Sequence, residues 1–302
     1  MKIAVTGSSG VLGSRLVPAL RAEGHEVIRL VRRTPRTADE HRWDPQHRRI
    51  DPALLTDVDA VINLAGASIK PRPWTRAYEQ RVLTSRVDST TTISEALAEA
   101  ATAEPSRPRV LLSGSGVSYY GDTGDREIDE FAPQGPGFMA EVCARWEAAT
   151  APAAEAGVRV TLLRNGLGIA AGAPLMQVLG LAFRVGLGGR IGSGRQYWPW
   201  IGVDDQIGAM IHLLGADVHG PVNLTGPEPV TNAEFTRTLG RVVHRPTVLP
   251  LPGPLLNLGL RDFGRTNVVG GQRAVPTKLL ASGYRFRQTD LEEVLRAALR
   301  RG

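Results

Sequence analysis

The chain contains very little cysteine and lysine, and it lacks long apolar runs. Cys143 is the single cysteine in 302 residues, which excludes an internal disulfide and favours a reducing compartment. No run of about 18 apolar residues occurs, so we expect no membrane-spanning helix. The first residues have the pattern of a strand rather than of a basic and then apolar leader. We therefore expect no secretory signal, no membrane association and a cytoplasmic location.

The charge of the chain is basic but dispersed. Lysine and arginine number 36 against 30 aspartate and glutamate residues, which gives a formal net charge of +6. Because the arginines are spread along the chain and do not alternate with aromatic residues, we expect no nucleic-acid partner. The 6 histidines form no pair at metal-ligand spacing, so we expect no metal site. The partner that we expect is a small-molecule substrate, and a homodimer remains open.

A strand, a glycine-rich turn and a helix begin the chain. The β-branched run at residues 2–6 leads directly into Thr6-Gly7-Ser8-Ser9-Gly10-Val11-Leu12-Gly13. Glycine lets the backbone turn tightly and approach a pyrophosphate, and the free N–H groups and the dipole of the helix face the anion. The loop therefore predicts a dinucleotide site. Its predicted cofactor-binding residues are Gly7, Ser9, Gly10, Val11, Leu12 and Gly13.

Two arginines at the end of the second strand predict which dinucleotide binds. Enzymes that use NAD place an acidic residue about 20 positions after the loop, where it binds the ribose 2′-hydroxyl. Here Arg32 and Arg33 occupy that place, since 33 − 13 = 20. A guanidinium binds a 2′-phosphate in a bidentate fork, so we predict NADP(H) rather than NAD(H). The alternative is that both arginines belong to a solvated loop.

Strand-like and helix-like segments alternate through the first two-thirds of the chain. Continuous apolar runs at residues 59–66, 109–113 and 158–164 lie between helical stretches at 77–100 and 140–156. Buried strands of this kind predict a parallel sheet that is covered by helices on both faces. The fold class that we predict is α/β, a Rossmann-like doubly wound parallel sheet with a small C-terminal substrate lobe.

The composition changes after about residue 170. The glycine-rich stretch 186–194 is incompatible with a regular element, whereas 233–243 and 290–300 have amphipathic helical patterns, the second with Asp290 as a plausible N-cap. Asp204 and Asp205 precede another helix and are also expected to cap it. The domains that we predict are 1–170, an NADP-binding domain to which later segments return, and 171–302, a substrate lobe with a C-terminal helical region.

Several segments together resemble one known family. The chain is similar to the atypical extended short-chain dehydrogenases known as epimerase family proteins, which combine an NAD-dependent-epimerase-like domain with a short C-terminal domain of unknown function. The resemblance spans essentially the whole chain and implies an NADP-binding Rossmann-like fold. The chain departs from the family pattern at Gly202, where a histidine is usual. The segments that carry it are 6–13, 63–67, 85–87, 113–121, 138–147, 192–196, 200–205 and 271–276.

The resemblance also suggests further cofactor contacts. Asn63, Leu64, Ala65 and Gly66 should lie against the cofactor ribose, because small residues permit a close approach. Arg86 falls where larger relatives place a catalytic asparagine, and we count it among the cofactor-binding residues. By analogy, Asp44 could accept a hydrogen bond from the adenine amino group, or it could cap a turn before Pro45.

The catalytic pair of the resembled family is missing. Extended short-chain dehydrogenases use a tyrosine as general acid and base, with a lysine four residues later that lowers its pKa. No Tyr-x-x-x-Lys occurs in this chain, and the equivalent positions hold Met139 and Cys143. We expect Cys143 to be a buried structural thiol rather than a nucleophile.

Other side chains must supply the chemistry. Our catalytic candidates are Ser115 and, as a second choice, Ser113, either of which could hydrogen-bond a substrate carbonyl. Tyr120 is a further candidate, but it would need a nearby positive charge to act as a substitute acid. The serines could equally satisfy turn backbone, and Tyr119 and Tyr120 could simply pack.

A polar and aromatic cluster predicts the substrate pocket. Asn165 is placed to contact the nicotinamide or the substrate. Arg195, Gln196 and Trp198 follow the glycine-rich stretch, and such clusters often line a pocket for an apolar, partly oxygenated substrate. Tryptophans in a second lobe are equally compatible with ordinary core.

Three functions follow from these patterns. The first is an NADP(H)-dependent oxidoreductase or epimerase that acts on a small carbonyl or enone substrate without the usual tyrosine and lysine. The second is a non-redox isomerase, cyclase or lyase on the same fold. The third is a binding protein that senses NADP.

Overall fold

A seven-stranded parallel sheet forms the centre of the molecule. The computed structural model describes residues 1–69, 74–247, 250–251 and 268–300. All pairings within this sheet are parallel, which confirms the predicted α/β fold class. In order across the sheet, the strands are β11 (Gly220–Leu224), β7 (Arg159–Asn165), β5 (Val110–Gly116), β4 (Ala60–Asn63), β1 (Lys2–Thr6), β2 (Glu26–Val31) and β3 (Glu40–Arg42).

Helices cover both faces of the sheet, because the strands are apolar on both sides. Leu16 and Met210 lie in the cluster on one face, whereas Ile93 and Leu97 lie in the cluster on the other. This two-sided burial explains why the strands read as continuous apolar runs. The helices are α1 (Gly13–Ala22), α2 (Ala53–Thr56), α3 (Arg76–Ala103), α4 (Phe138–Ala148), α5 (Ala151–Glu155), α6 (Pro174–Arg184), α7 (Val203–Gly215), α8 (Asn232–Val243), α9 (Thr277–Ala281) and α10 (Leu291–Arg300).

Most predicted helices are confirmed, and one is divided. The 77–100, 233–243 and 290–300 predictions correspond to α3, α8 and α10. Asp290 caps α10 as predicted, since its Oδ1 accepts the backbone N–H groups of Glu292 and Glu293 at 2.7 and 3.0 Å. The single helix predicted at 140–156 is wrong, because α4 ends at Ala148 and α5 begins with Pro152 in its first turn.

A second lobe packs beside the sheet. Its apolar cluster includes Trp198, Phe235 and Leu295, and Val11 of the glycine loop packs against it. The stretch 186–194 contains no helix and no regular strand, only isolated bridge residues at Gly189 and Ile191, in agreement with the sequence. The lobe also contains short strands: β8 (Leu167–Ile169), β9 (Tyr197–Trp198), β10 (Trp200–Gly202) and β12 (Val230–Thr231), while β6 (Glu127–Ile128) pairs with β13 (Arg273–Ala274).

Later segments return to the sheet, as β11 and α7 show. The exact boundary at residue 170 stays a prediction, and residues 252–267 and 301–302 of the C-terminal region lie outside the described residues. Like Asp204, Asp205 is not the cap of α7, because Gly202 holds that position. Its carboxylate accepts the backbone N–H groups of Arg287 and Gln288 at 3.0 and 2.7 Å, and thereby ties the C-terminal segment to α7. Within the described ranges, no helix is long and apolar enough to cross a bilayer.

Candidate active site

The glycine loop is folded tightly against itself and against the end of β4. Gly7 has a φ of +66°, and a Cβ there would lie 2.7 Å from the Leu64 carbonyl oxygen. A Cβ on Gly13 would overlap the Gly7 carbonyl oxygen, which itself accepts the Gly10 N–H at 2.9 Å. Only glycine can occupy positions 7 and 13 without a shift of the backbone. The loop therefore presents backbone rather than side chains to whatever lies in front of α1.

Thr6 joins the glycine loop to the next strand. Its buried hydroxyl donates to Asn63 Oδ1 at 2.6 Å and accepts the N–H groups of Leu64 and Ala65 at 3.0 and 3.1 Å. Thr90 accepts from Asn63 Nδ2 at 2.9 Å on the far side. The structure thus brings the predicted ribose-contacting segment 64–66 beside the glycine loop. Sequence reasoning placed Asn63 at the ribose but did not identify the roles of Thr6 and Thr90, because their hydroxyls meet Asn63 only in the folded chain.

The two arginines after β2 lie in different electrostatic surroundings. Arg33 forms a bidentate pair with Glu40, at 2.7 and 2.6 Å, and this hydrogen bonding holds the pKa of Glu40 below its usual range. Arg29 also lies 3.1 Å from Glu40. Arg32 is exposed and forms no ion pair with any residue that the structure describes. The exposed guanidinium of Arg32 is therefore uncompensated, whereas Arg33 already has a carboxylate.

Asp44 and Arg86 differ in how their charges are balanced. Asp44 Oδ2 lies 2.8 Å from His47 Nδ1, and this hydrogen bond holds the pKa of Asp44 down.

Arg86 is 7% exposed, and its Nη1 donates to the carbonyls of Ala67 and Val82 at 3.1 and 3.0 Å. Burial lowers its pKa, and its Nε has no partner among the described residues. A buried cation without a carboxylate suits an anionic ligand nearby.

Ser115 belongs to a buried ionic network. Its hydroxyl donates to Glu147 Oε1 at 2.6 Å, and Arg164 binds both carboxylate oxygens of Glu147 at 2.8 Å. Burial opposes the charge of Arg164, but hydrogen bonding to Glu147 holds its pKa above its ordinary value. With its proton directed at Glu147, the Ser115 oxygen faces a ligand only as an acceptor. Sequence reasoning did not identify Glu147 or Arg164 as site residues.

Tyr120 is held from two sides. It is 3% exposed, its hydroxyl donates to Asn223 Oδ1 at 2.7 Å, and it accepts from Arg164 Nη1 at 2.9 Å. Burial raises its pKa to about 12. The Arg164 guanidinium carbon also lies 3.5 Å from the centroid of the Tyr119 ring. These contacts favour the packing alternative for Tyr120, and its catalytic role stays a prediction.

The last catalytic candidate, Ser113, is buried, and so are the two residues that replace the catalytic tyrosine and lysine of the family. Ser113 is fully buried, and within the described part of the chain its hydroxyl has no partner. Burial raises the pKa of Cys143 to about 12, which fits a structural thiol. Met139 packs in an apolar cluster with Val82 and Val142. The two positions of the missing tyrosine and lysine thus hold buried side chains.

The predicted substrate residues fall into two groups. Asn165 lies next to Ser115, because its Nδ2 donates to the Ser115 carbonyl at 3.1 Å. Gln196 and Trp198 are buried in the second lobe, where Gln196 Nε2 donates to the carbonyl of Ile191 at 3.1 Å. Arg195 is exposed. Only Asn165 is thereby brought into contact with a catalytic candidate.

Two family models match the chain. The NAD dependent epimerase/dehydratase family matches residues 3–225, and a domain of unknown function, DUF1731, matches residues 251–298. An epimerase family protein of Mycobacterium bovis is 43% identical over 294 residues, which cover 97% of this chain and 96% of that protein. The human epimerase family protein SDR39U1 is 35% identical over 303 residues, which cover 98% of this chain and 99% of that protein.

Solved structures share the same architecture. The crystal structure of human SDR39U1 (isoform 2) with NADPH has a TM-score of 0.86 and 32% identity, and the match covers 99% of both chains. A UDP-glucose 4-epimerase of Thermus thermophilus in complex with NAD has a TM-score of 0.78, covering 100% of this chain and 98% of that one. At 18% identity, the second similarity shows the fold alone. The resemblance and the fold class predicted from sequence are confirmed.

Proposed function

Because the chain belongs to the NAD dependent epimerase/dehydratase family, we propose that it is an NADP(H)-dependent oxidoreductase or epimerase. Its substrate is a small carbonyl or enone compound. The observation that carries the proposal is the uncompensated guanidinium of Arg32 after β2, the strand that pairs in parallel with β1. β1 leads into the glycine loop, in which positions 7 and 13 admit only glycine. The human relative that crystallised with NADPH supports the same cofactor.

Each part of the cleft has a role in this proposal. The backbone of the glycine loop and the N-terminus of α1 bind the pyrophosphate, and segment 64–66 contacts the ribose. Arg32 binds the 2′-phosphate, whereas Arg33 contributes less because its charge is already paired with Glu40. NADPH, when bound, supplies a hydride. Arg86 adds a buried positive charge beside segment 65–67.

The position of Ser115 suggests what the substrate offers. Ser115 and Asn165 lie together at the carboxyl edge of β5 and β7. Because the Ser115 proton is directed at Glu147, Ser115 orients a substrate hydroxyl by accepting its hydrogen bond. Ser115 can donate to a carbonyl oxygen only after its O–H rotates away from Glu147.

A reversal of charge at Arg32 tests the cofactor. We expect Arg32→Glu to weaken NADPH binding about tenfold to a hundredfold, because a charge-assisted hydrogen bond is replaced by repulsion. NADH affinity should change far less, since NADH has no 2′-phosphate. Fluorescence titration of both coenzymes measures this. The exposed Arg126 provides the control, and Arg126→Glu should bind both coenzymes as the unaltered protein does. Equal loss of both coenzymes in Arg32→Glu contradicts the role of Arg32.

One observation favours a second candidate, a non-redox or NADP-sensing role. The pKa values of Tyr120 and Cys143 are both raised to about 12, so neither is tuned to transfer a proton near neutral pH. A protein that binds NADPH, converts no carbonyl or enone in a broad panel and leaves the NADPH absorbance unchanged would favour this candidate over the first.

A further inference from the structure

Three arginines are buried in the part of the chain that the structure describes, and one of them has no counter-ion. Arg164 and Arg109 each lie beside a carboxylate, Glu147 at 2.8 Å and Glu104 at 3.5 Å. Arg86 is buried to a similar degree, but no described carboxylate lies within ion-pair distance of it. A buried cation costs free energy unless an anion balances it, so the surroundings of Arg86 favour an anionic ligand.

One edge of the Arg86 guanidinium is unused. Its Nη1 already donates to the carbonyls of Ala67 and Val82. Its Nε has no partner, and its Nη2 donates to no described residue. Nε and Nη2 together form the fork that binds the two oxygens of a carboxylate or a phosphate. The Trp146 ring, whose centroid lies 5.0 Å from the guanidinium carbon, stabilises the charge but accepts no such pair of bonds.

Arg86 lies away from the groups that bind the coenzyme phosphates in the proposed function. Across the sheet the strands follow in the order β5, β4, β1 and β2, and the glycine loop and Arg32 come after β1 and β2. Arg86 lies after β4, where a Cβ on Gly66 would be 3.4 Å from its guanidinium carbon. Trp146, which Arg86 covers, packs against Gly114 of β5. The anion at Arg86 therefore comes from a molecule other than the coenzyme.

Arg86 and Ser115 lie on either side of one thiol. Burial raises the pKa of the Cys143 thiol to about 12, and the side chains of Arg86 and Ser115 both oppose that rise. A Cβ on Gly116 would lie 3.6 Å from Cys143 Sγ, so the thiol lies directly against the end of β5. An anion on Arg86 would thus be a close neighbour of whatever hydroxyl Ser115 orients.

We infer that the substrate carries a carboxylate, which the free edge of Arg86 binds while the substrate hydroxyl lies at Ser115. The substrate is thereby a hydroxy acid or the corresponding oxo acid, within the carbonyl class of the proposed function. The inference rests on the proposed function for the reaction. It does not rest on it for the binding of the carboxylate, which requires only Arg86.

Lactate and lactamide form a matched pair of probes, because a carboxylate in one replaces a neutral amide of nearly the same shape in the other. We expect ligand-observed NMR with the full chain and NADPH to show lactate binding at least about tenfold tighter than lactamide. The reason is that a charge-assisted pair of hydrogen bonds replaces a neutral one. Equal affinities for the two probes in the unaltered protein overturn the inference.

Two substitutions locate the carboxylate. Arg86→Gln should abolish the preference for lactate, and it should fold because it removes a buried charge that has no counter-ion. Arg109→Gln is the matched control, because Arg109 is also buried but precedes β5 at the opposite edge of the sheet, and it should keep the full preference. A folded Arg86→Gln protein that still prefers lactate contradicts the inference.

A conservative variant keeps the test decisive if Arg86→Gln does not fold. Arg86→Lys retains the charge but lacks the planar fork, so it should show a reduced preference for lactate. A preference equal to that of the unaltered protein would contradict a carboxylate bound by the fork of Arg86.

This inference and the proposed function can fail separately. A protein that binds NADPH but does not prefer lactate retains the proposed function and loses the carboxylate site. A protein that prefers lactate through Arg86 but binds neither coenzyme retains the carboxylate site and loses the proposed function. We expect Arg86→Gln to change NADPH affinity less than about threefold, and a loss of tenfold or more would assign the anion to the coenzyme and overturn the inference.

Discussion

The glycine loop and the Ser115 network lie at the same edge of the sheet, yet they are built in opposite ways. The loop packs backbone against backbone, as a Cβ on Gly13 would overlap the Gly7 carbonyl, and it leaves its front open to an anion. The network consists of buried side chains that satisfy one another, from Ser115 through Glu147 and Arg164 to Tyr120. The loop thus offers free backbone groups to a ligand, whereas the polar groups of the network already bind one another.

The difference teaches where binding and stability are separable. Changes in the network should act first on folding, because a buried ion pair leaves a strong unpaired charge when one partner is removed. Changes in the loop should act first on coenzyme binding. The following variants break or sharpen this contrast.

Removal of the Glu147 charge should have the largest effect. Glu147→Gln leaves the buried Arg164 guanidinium without a carboxylate, and we expect a loss of about 3–5 kcal/mol in the free energy of unfolding. Glu141 provides the control on the same helix, because its pair with Arg145 is exposed, and Glu141→Gln should cost less than about 0.5 kcal/mol. Urea denaturation measures both. Similar losses in the two variants contradict the buried network.

A methyl group in the glycine loop should mainly impair binding. Gly13→Ala forces the loop away from the Gly7 carbonyl, and we expect NADPH affinity to fall about a hundredfold, or about 2.7 kcal/mol. Gly215 at the end of α7 has nothing within 4 Å of an added Cβ, so Gly215→Ala should bind NADPH normally. Calorimetric titration distinguishes them. Undiminished NADPH binding by Gly13→Ala means that the loop is not the cofactor site.

The pH dependence of stability should report on Tyr120, with the smallest effect of the three. Burial raises the pKa of Tyr120 to about 12, above the ordinary value of 10.0. Above pH 10 the unfolded chain loses this proton while the folded protein keeps it, so stability falls as pH rises towards 12, by about 2 kcal/mol. Tyr120→Phe should be less stable near neutral pH but should decline less steeply above pH 10. An equally steep decline in both proteins shows that Tyr120 is not the titrating group.

The sequence predicts those features that depend on local pattern. The parallel strands appear as apolar runs, the glycine loop appears as spaced glycines, and α10 begins at the predicted cap Asp290. The ion pair between Glu147 and Arg164 could not be predicted, because α4 and β7 meet only in the folded chain. The same holds for Glu40, which binds Arg33 from a neighbouring strand. Pairing in the folded chain, rather than residue type, decides which arginine is left free.

The preference between the two coenzymes tests the central claim most directly. Isothermal titration calorimetry of the purified full chain with NADPH and with NADH, at the same ionic strength, gives both dissociation constants. We predict that NADPH binds at least about tenfold tighter than NADH, because Arg32 offers an uncompensated guanidinium to the 2′-phosphate. Equal affinities, or no heat with either coenzyme, would contradict the account.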